Sequence, residues 1–263
     1  YGIPQCRHRV ILLGIRSDIT QDPASLLLTK TDHVTVKSTL TNMPKLRSGL
    51  SKELDTAINW QTLTKSALTK ANQDINEAGK QLTIKEQPSS RGAAFIRAKK
   101  TLSNTMPKSL YDWLSDDKIK GVVQHESRGH MSADIERYSY VSLYGQIHDK
   151  SPRINELPTN LLPNHKNVNS GNFVDRFKVQ LANYPSKTIT SHISKDSHAF
   201  IHYDPFQARG LTVREASRLQ TFPENYFFEG NRTQQYVQVG NAVPPFLANQ
   251  IGKIVAKVIP PRK

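Results

Sequence analysis

Two apolar segments at opposite ends of the chain constrain its fold more than any other feature. Val10-Ile11-Leu12-Leu13-Gly14-Ile15 runs unbroken between Arg9 and Arg16-Ser17-Asp18, the pattern of a strand buried on both faces. At the other end Leu247, Ile251, Ile254, Val255 and Val258 recur at helical spacing and line one side of a helix. Pro244-Pro245 suits the first turn of that helix and Pro260-Pro261 stops it. A strand needs ladder partners and an apolar stripe needs a surface to dock on. The expectation is that both ends belong to one sheet-and-helix body, with the rest of the chain between them.

The intervening sequence is more polar. From Ser51 to Leu82 a helical stripe recurs at Trp60, Leu63, Ala67, Ala71, Ile75, Ala78 and Leu82. Pro88-Ser89-Ser90-Arg91-Gly92 breaks the chain, and a second helix is predicted from Asp134 to Tyr144, with Ile135, Tyr138, Val141 and Leu143 facing a core. Pro152 to Gly171 is rich in Pro and Asn and reads as loops over a surface. Thr212-x-x-Glu215 is a capping-box signature for a helix ended by Pro223, on which Arg214 and Arg218 share a face.

Charge narrows the partners. The 263 residues hold 36 Lys and Arg against 22 Asp and Glu, a net charge of +14, the electrostatic footprint of a protein that meets nucleic acid. No run of 18 apolar residues spans a membrane and the first residues do not read as a secretory signal. The single cysteine, Cys6, excludes an internal disulfide and a multi-cysteine zinc site. His125, His130, His192, His198 and His202 show no recognised zinc spacing, so no metal is expected. The chain starts at Tyr1, and its earliest methionine is Met43; the expectation is that it was cut from something longer.

The candidate chemistry begins at the first residues. In an extended chain Gln5, Arg7 and Arg9 point to one side, offering fork-shaped donors to phosphate oxygens or a base edge. Gly2-Ile3-Pro4-Gln5-x-Arg7-x-Arg9 resembles motif VIII of the DNA (cytosine-5)-methyltransferases. Leu211-Thr212-x-Arg214-Glu215-x-x-Arg218-Leu219-Gln220-x-Phe222-Pro223 resembles their motif IX, and Gln238-Val239-Gly240-Asn241-Ala242-Val243-Pro244-Pro245 their motif X. The similarity covers residues 1–18 and about 170–259; the middle corresponds to family-variable target-recognition sequence.

The resemblance implies transfer of a methyl group from S-adenosylmethionine to carbon 5 of a cytosine flipped out of double-stranded DNA, after a cysteine thiolate adds to carbon 6. It implies that Arg9 supports catalysis and that Gln5, Arg7, Arg9 and Thr188 contact DNA or its surroundings. Asn241 and Ala242 would contact the cofactor, with Gly240 letting the backbone approach it. Arg214, Glu215 and Arg218 would be structural. The family's Pro-Cys, Glu-Asn-Val and Phe-x-Gly-x-Gly segments do not occur here, and Cys6 matches no catalytic position. The implied fold is α+β: a target-recognition domain (residues 20–235) flanked by fragments of a Rossmann-like methyltransferase domain (1–19 and 236–263).

The expected protein is thus the DNA-recognising, C-terminal part of a cytoplasmic, nucleoid-associated enzyme of bacterial or phage type. It is expected to be inactive alone and to work with the missing N-terminal part or subunit. The alternatives are the specificity subunit of a two-chain methyltransferase and a non-catalytic, sequence-specific DNA-binding module.

Overall fold

The computed structural model describes residues 1–19, 22–75, 83, 85–164 and 176–259. In chain order come β1 (Gln5–Cys6), α1 (Val36–Leu40), β2 (Gly49–Leu50), α2 (Ala57–Ile75), β3 (Gly92–Arg97), α3 (Lys108–Leu114), β4 (Gly121–Glu126), β5 (Gly129–His130), α4 (Ser132–His148), β6 (Ser186–Lys187), α5 (Val213–Leu219), α6 (Arg232–Asn241) and α7 (Pro245–Val258).

The stripe read from Trp60 to Ile75 is helix α2, with Trp60, Ala67, Ala71 and Ile75 buried along it. Ala78 and Leu82, expected to continue it, lie outside the described residues. Helix α2 packs on α4, whose Ile135, Tyr138, Val141 and Leu143 face the core as the periodicity predicts. The Trp60 indole N–H donates to Ser48 Oγ at 2.8 Å, satisfying the polar atom of a large buried side chain. Phe177, Val179 and Ile201 complete this first core. The segment after Pro152 also does more than cross a surface. Ile154, Leu157 and Leu161 are buried in the same core, and Arg137 Nε holds the Leu161 carbonyl at 2.7 Å. Residues 165–175 lie outside the described residues.

A second core gathers α1, α5 and α6 around Ile189 and Ile193. A third joins Val34, Leu102 and Met106 to Leu110 and Leu114 of α3. The strands are short. Among the described residues they form three two-stranded sheets: β1 with β6 and β2 with β5, both parallel, and β3 with β4, antiparallel. The architecture is mixed α/β.

Two expectations need correction. No strand forms across Val10–Ile15; Val10 is 89% and Leu12 90% exposed. Helix α7 forms as read, but none of its residues is buried. Both segments carry the pattern of a covered element, but Val10 and Leu12 stand in solvent and the α7 stripe is only partly covered; a lone run without ladder partners does not order as a strand. The described residues form only two-stranded sheets, so the reading of residues 1–19 and 236–263 as fragments of a Rossmann-like domain stays an expectation. The chain ends do meet, nearer the terminus than the apolar run. Gln250 Nε2 on α7 donates to the Tyr1 carbonyl at 3.0 Å, and the Phe246 ring lies 3.3 Å from where a Cβ on Gly2 would stand. The expected boundary between residues 235 and 236 falls inside α6, whose Tyr236 and Val239 belong to the second core.

Candidate functional site

Helix α5 anchors the site. Its capping box closes as the sequence spacing requires: Thr212 Oγ1 accepts from Glu215 N–H at 3.1 Å, and the Glu215 carboxylate accepts from Thr212 N–H at 2.7 Å. The same carboxylate takes a two-pronged pair from Arg209 at 2.6 and 2.7 Å, with both side chains essentially inaccessible. Burial raises the Glu215 carboxyl, but the Arg209 charge and its hydrogen bonds outweigh it and hold the group well below the usual carboxylate range. One turn on, Arg218 forks onto Glu224 at 2.9 and 2.7 Å and reaches the Thr101 carbonyl at 2.8 Å.

Arg214 has no carboxylate partner of this kind. It donates to the carbonyls of Val123, Pro223 and Tyr226 at 3.0, 3.2 and 2.6 Å, and burial lowers its pKa to about 10. Arg214, Glu215 and Arg218 thus all lie inside the protein. The partners Arg209 and Glu224 were missed in the sequence reading. A signal existed, because an Arg precedes a Glu by six residues twice in this stretch.

Strand β1 lies beside β6, pairing Gln5 with Ser186 and Cys6 with Lys187. Thr188 Oγ1 donates to the Cys6 carbonyl at 2.5 Å, and Arg7 Nη1 to the Ile189 carbonyl at 3.3 Å. The three residues expected on one open face are graded in exposure. Gln5 is buried, Arg7 half-buried and Arg9 exposed, with Arg9 Nη1 on the His8 carbonyl at 2.6 Å. Burial, then the neighbouring Arg9 charge, lowers the Arg7 pKa, and a guanidinium stays protonated nonetheless.

Gln5 therefore has a use different from the DNA contact expected of it. Its Oε1 accepts from Ile189 N–H at 3.1 Å, and its Nε2 donates to the Leu219 carbonyl at 3.4 Å and to Gln220 Oε1. Gln220, just past α5 and fully buried, turns its own Nε2 to the carbonyls of Val239 and Ala242 at 2.8 and 2.9 Å. Motif VIII, motif IX and the α6–α7 junction of motif X are thereby joined by two amides. Asn241 closes α6 with its side chain exposed, and Ala242 is half-buried in the turn to α7. The Gly240 expectation changes: a Cβ there would stand 2.2 Å from Ser191 N, so this glycine admits protein backbone and not a ligand.

Of the five candidate histidines, His125, His130, His198 and His202 are buried, and His192 is exposed. His125 bridges Thr212 Oγ1 and the Pro44 carbonyl at 2.9 and 2.8 Å, and His198 Nδ1 meets the Tyr138 hydroxyl at 2.7 Å. Burial lowers the pKa of His125 and His202 to about 4, and burial with Arg128 nearby lowers His130 to about 3. Among the described residues no group of three or more His, Cys, Asp or Glu is placed to hold a metal ion. Nor is any of their helices long and apolar enough to cross a membrane. Cys6 is exposed.

With this geometry in view, comparison with known proteins fixes the family. A model of the C-5 cytosine-specific DNA methylases matches residues 1–257, and the chain belongs to that family. The type II methyltransferase M.Bpa9945I of Bacillus paralicheniformis is 31% identical over 262 residues, which are 98% of this chain and 49% of that protein. M.DdeI of Desulfomicrobium norvegicum is 25% identical over 270 residues, 97% of this chain and 52% of its own length. M.AquIB of a Picosynechococcus species is 31% identical over 153 residues, covering 54% of this chain and 93% of that relative. The chain spans about half the length of the first two relatives.

Proposed function

We propose that this chain is the DNA-recognising, C-terminal part of a type II DNA (cytosine-5)-methyltransferase, and that it methylates only together with the remainder of that enzyme. The observation that carries this reading is the junction of Gln5, Gln220, Val239 and Ala242. Motif-bearing segments more than 200 residues apart share one hydrogen-bonded knot, beside an exposed arginine on one side and an exposed Asn on the other.

In this reading Arg9 holds the flipped cytosine and supports the nucleophile's chemistry, while Arg7 and Thr188 set the strand against the DNA. The excess of 14 positive charges steers the polyanion to the surface. Asn241 and the Ala242 backbone form one polar edge of the cofactor site; the exposure of the Asn241 side chain fits a polar ligand. S-adenosylmethionine supplies the methyl group, which replaces the proton at carbon 5. The nucleophilic thiolate comes from the remainder of the enzyme, because the one cysteine present sits exposed in β1 among motif VIII residues. The segment from about residue 20 to 235 makes the target-recognition domain; the names of the relatives support a restriction–modification setting, and the enzyme works in a bacterial cytoplasm.

The test is methyl transfer to duplex DNA by the purified chain, alone and with the remainder supplied. Transfer is expected only in the second case; transfer by the chain alone overturns the reading. In the assembled enzyme, Arg9→Ala is expected to slow single-turnover methylation about 100-fold and to change DNA affinity by less than about threefold. Equal losses in both would remove Arg9 from the chemistry.

A further inference from the structure

We propose that Gln220 is a positioning residue: it locks the α6–α7 turn that offers Asn241 and Ala242 to the cofactor against the strand that offers Arg7 and Arg9 to DNA. This rests on the proposed function and adds a role for a side chain that would touch neither ligand.

The amide has two chemically distinct ends, and each faces a different segment. Its Nε2 carries two protons, and both are used, on the Val239 and Ala242 carbonyls at 2.8 and 2.9 Å. Its Oε1 takes the proton of Gln5 Nε2, and Gln5 in turn holds Ile189 N–H through its own Oε1 at 3.1 Å. Neither amide can flip without setting donor against donor or acceptor against carbonyl. Both are buried, Gln220 completely, so no water competes and the orientation is fixed in one sense.

The neighbouring residue ties the same turn a second time: Thr221 Oγ1 accepts from Phe246 N–H in the first turn of α7 at 3.1 Å. The Ala242 carbonyl, two bonds from the Asn241–Ala242 peptide, is therefore placed by a buried side chain at the end of α5. A shift of the segment bearing Arg7 and Arg9 is transmitted to that carbonyl through Gln5 and Gln220. The cofactor edge and the DNA-facing strand should accordingly respond to each other.

The experiment uses the assembled enzyme and two isosteric changes. Gln220→Glu keeps the acceptor for Gln5 and replaces both protons aimed at the turn with an oxygen. Gln5→Glu keeps the acceptor for Ile189 and removes the proton given to Gln220. The expected result is a KM for S-adenosylmethionine raised about tenfold by Gln220→Glu and severalfold by Gln5→Glu, although Gln5 lies on the DNA-facing strand. Ser48→Ala, which removes only the Trp60 indole bond, is the control for general destabilisation and should leave that KM unchanged. Unchanged cofactor KM in both variants, with loss only of thermal stability or kcat, overturns the proposal. If Gln220→Glu does not fold, Gln5→Glu alone decides. Absence of methyl transfer by the unmutated assembled enzyme would instead sink the functional reading.

Discussion

Buried ionisable side chains decide how this chain responds to acid and to single substitutions. His125, His130 and His202 titrate at about 4, 3 and 4 when folded, against about 6.5 in an unfolded chain. Between those values the unfolded state binds more protons, so the stability they contribute is complete above about pH 6.5 and lost as pH falls from there towards 4. Each neutral histidine gives a slope of up to about 1.4 kcal/mol per pH unit. Glu215 and Glu224, held low by Arg209 and Arg218 against the raising effect of burial, extend the loss below about pH 4.5. The urea midpoint should therefore hold steady from about pH 8 to 7 and drop steeply between about 6 and 4; a flat midpoint through that interval would refute the assignment. Glu215→Ala strands Arg209 in the interior and should cost about 3–5 kcal/mol in urea unfolding. Asp18→Asn removes the exposed pair with Arg16 and should cost less than about 1 kcal/mol.

At the scale of elements, the second core is set by close backbone approach as much as by apolar area. Gly240→Ala puts a methyl group 2.2 Å from Ser191 N and 2.3 Å from the Thr190 carbonyl carbon, so α6 must move off the turn at Ser191–Ser194 at a cost of about 1–3 kcal/mol. Gly252→Ala, on α7 with nothing within 4 Å, should instead stabilise by up to about 1 kcal/mol. Paired thermal denaturation of the two variants separates these outcomes, and equal shifts would contradict the packing role of Gly240. The difference also shows what was legible in the sequence. Helices α2, α4, α5 and α7 announce themselves because their periodicity and caps are local. Two-residue strands such as β1 and β6 have no alternation to read. Gln5–Gln220 and Gly240–Ser191 link residues distant in sequence, and no neighbouring residue encodes them. The motif resemblance drew attention to Arg214, Glu215 and Arg218 without revealing Arg209 and Glu224 as partners. It also assigned Gln5 to DNA, where burial gives it an internal role.

On the scale of the whole molecule, charge and apolar exposure pull in opposite directions. A net charge of +14 keeps copies of the chain apart, yet Val10 and Leu12 stand about nine-tenths exposed and the apolar stripe of α7 is only partly buried. The start of the chain, from which the Val10–Ile15 run follows, lies against α7, where Tyr1 and Gly2 touch Gln250 and Phe246. Under the proposed function this end is where the remainder of the enzyme docks, completing a sheet with the Val10–Ile15 run and covering the helix. The double variant Val10→Asp with Leu12→Asp tests it. Both side chains are exposed in the isolated chain, so its urea midpoint should shift by less than about 0.5 kcal/mol. Two carboxylates buried in a docked interface would cost several kcal/mol each, so methyl transfer on mixing with the remainder should fall about 100-fold or more. Full reconstitution by the double variant would mean that the apolar run stays in solvent in the assembled enzyme, and the docking surface would then have to be sought away from Val10–Ile15.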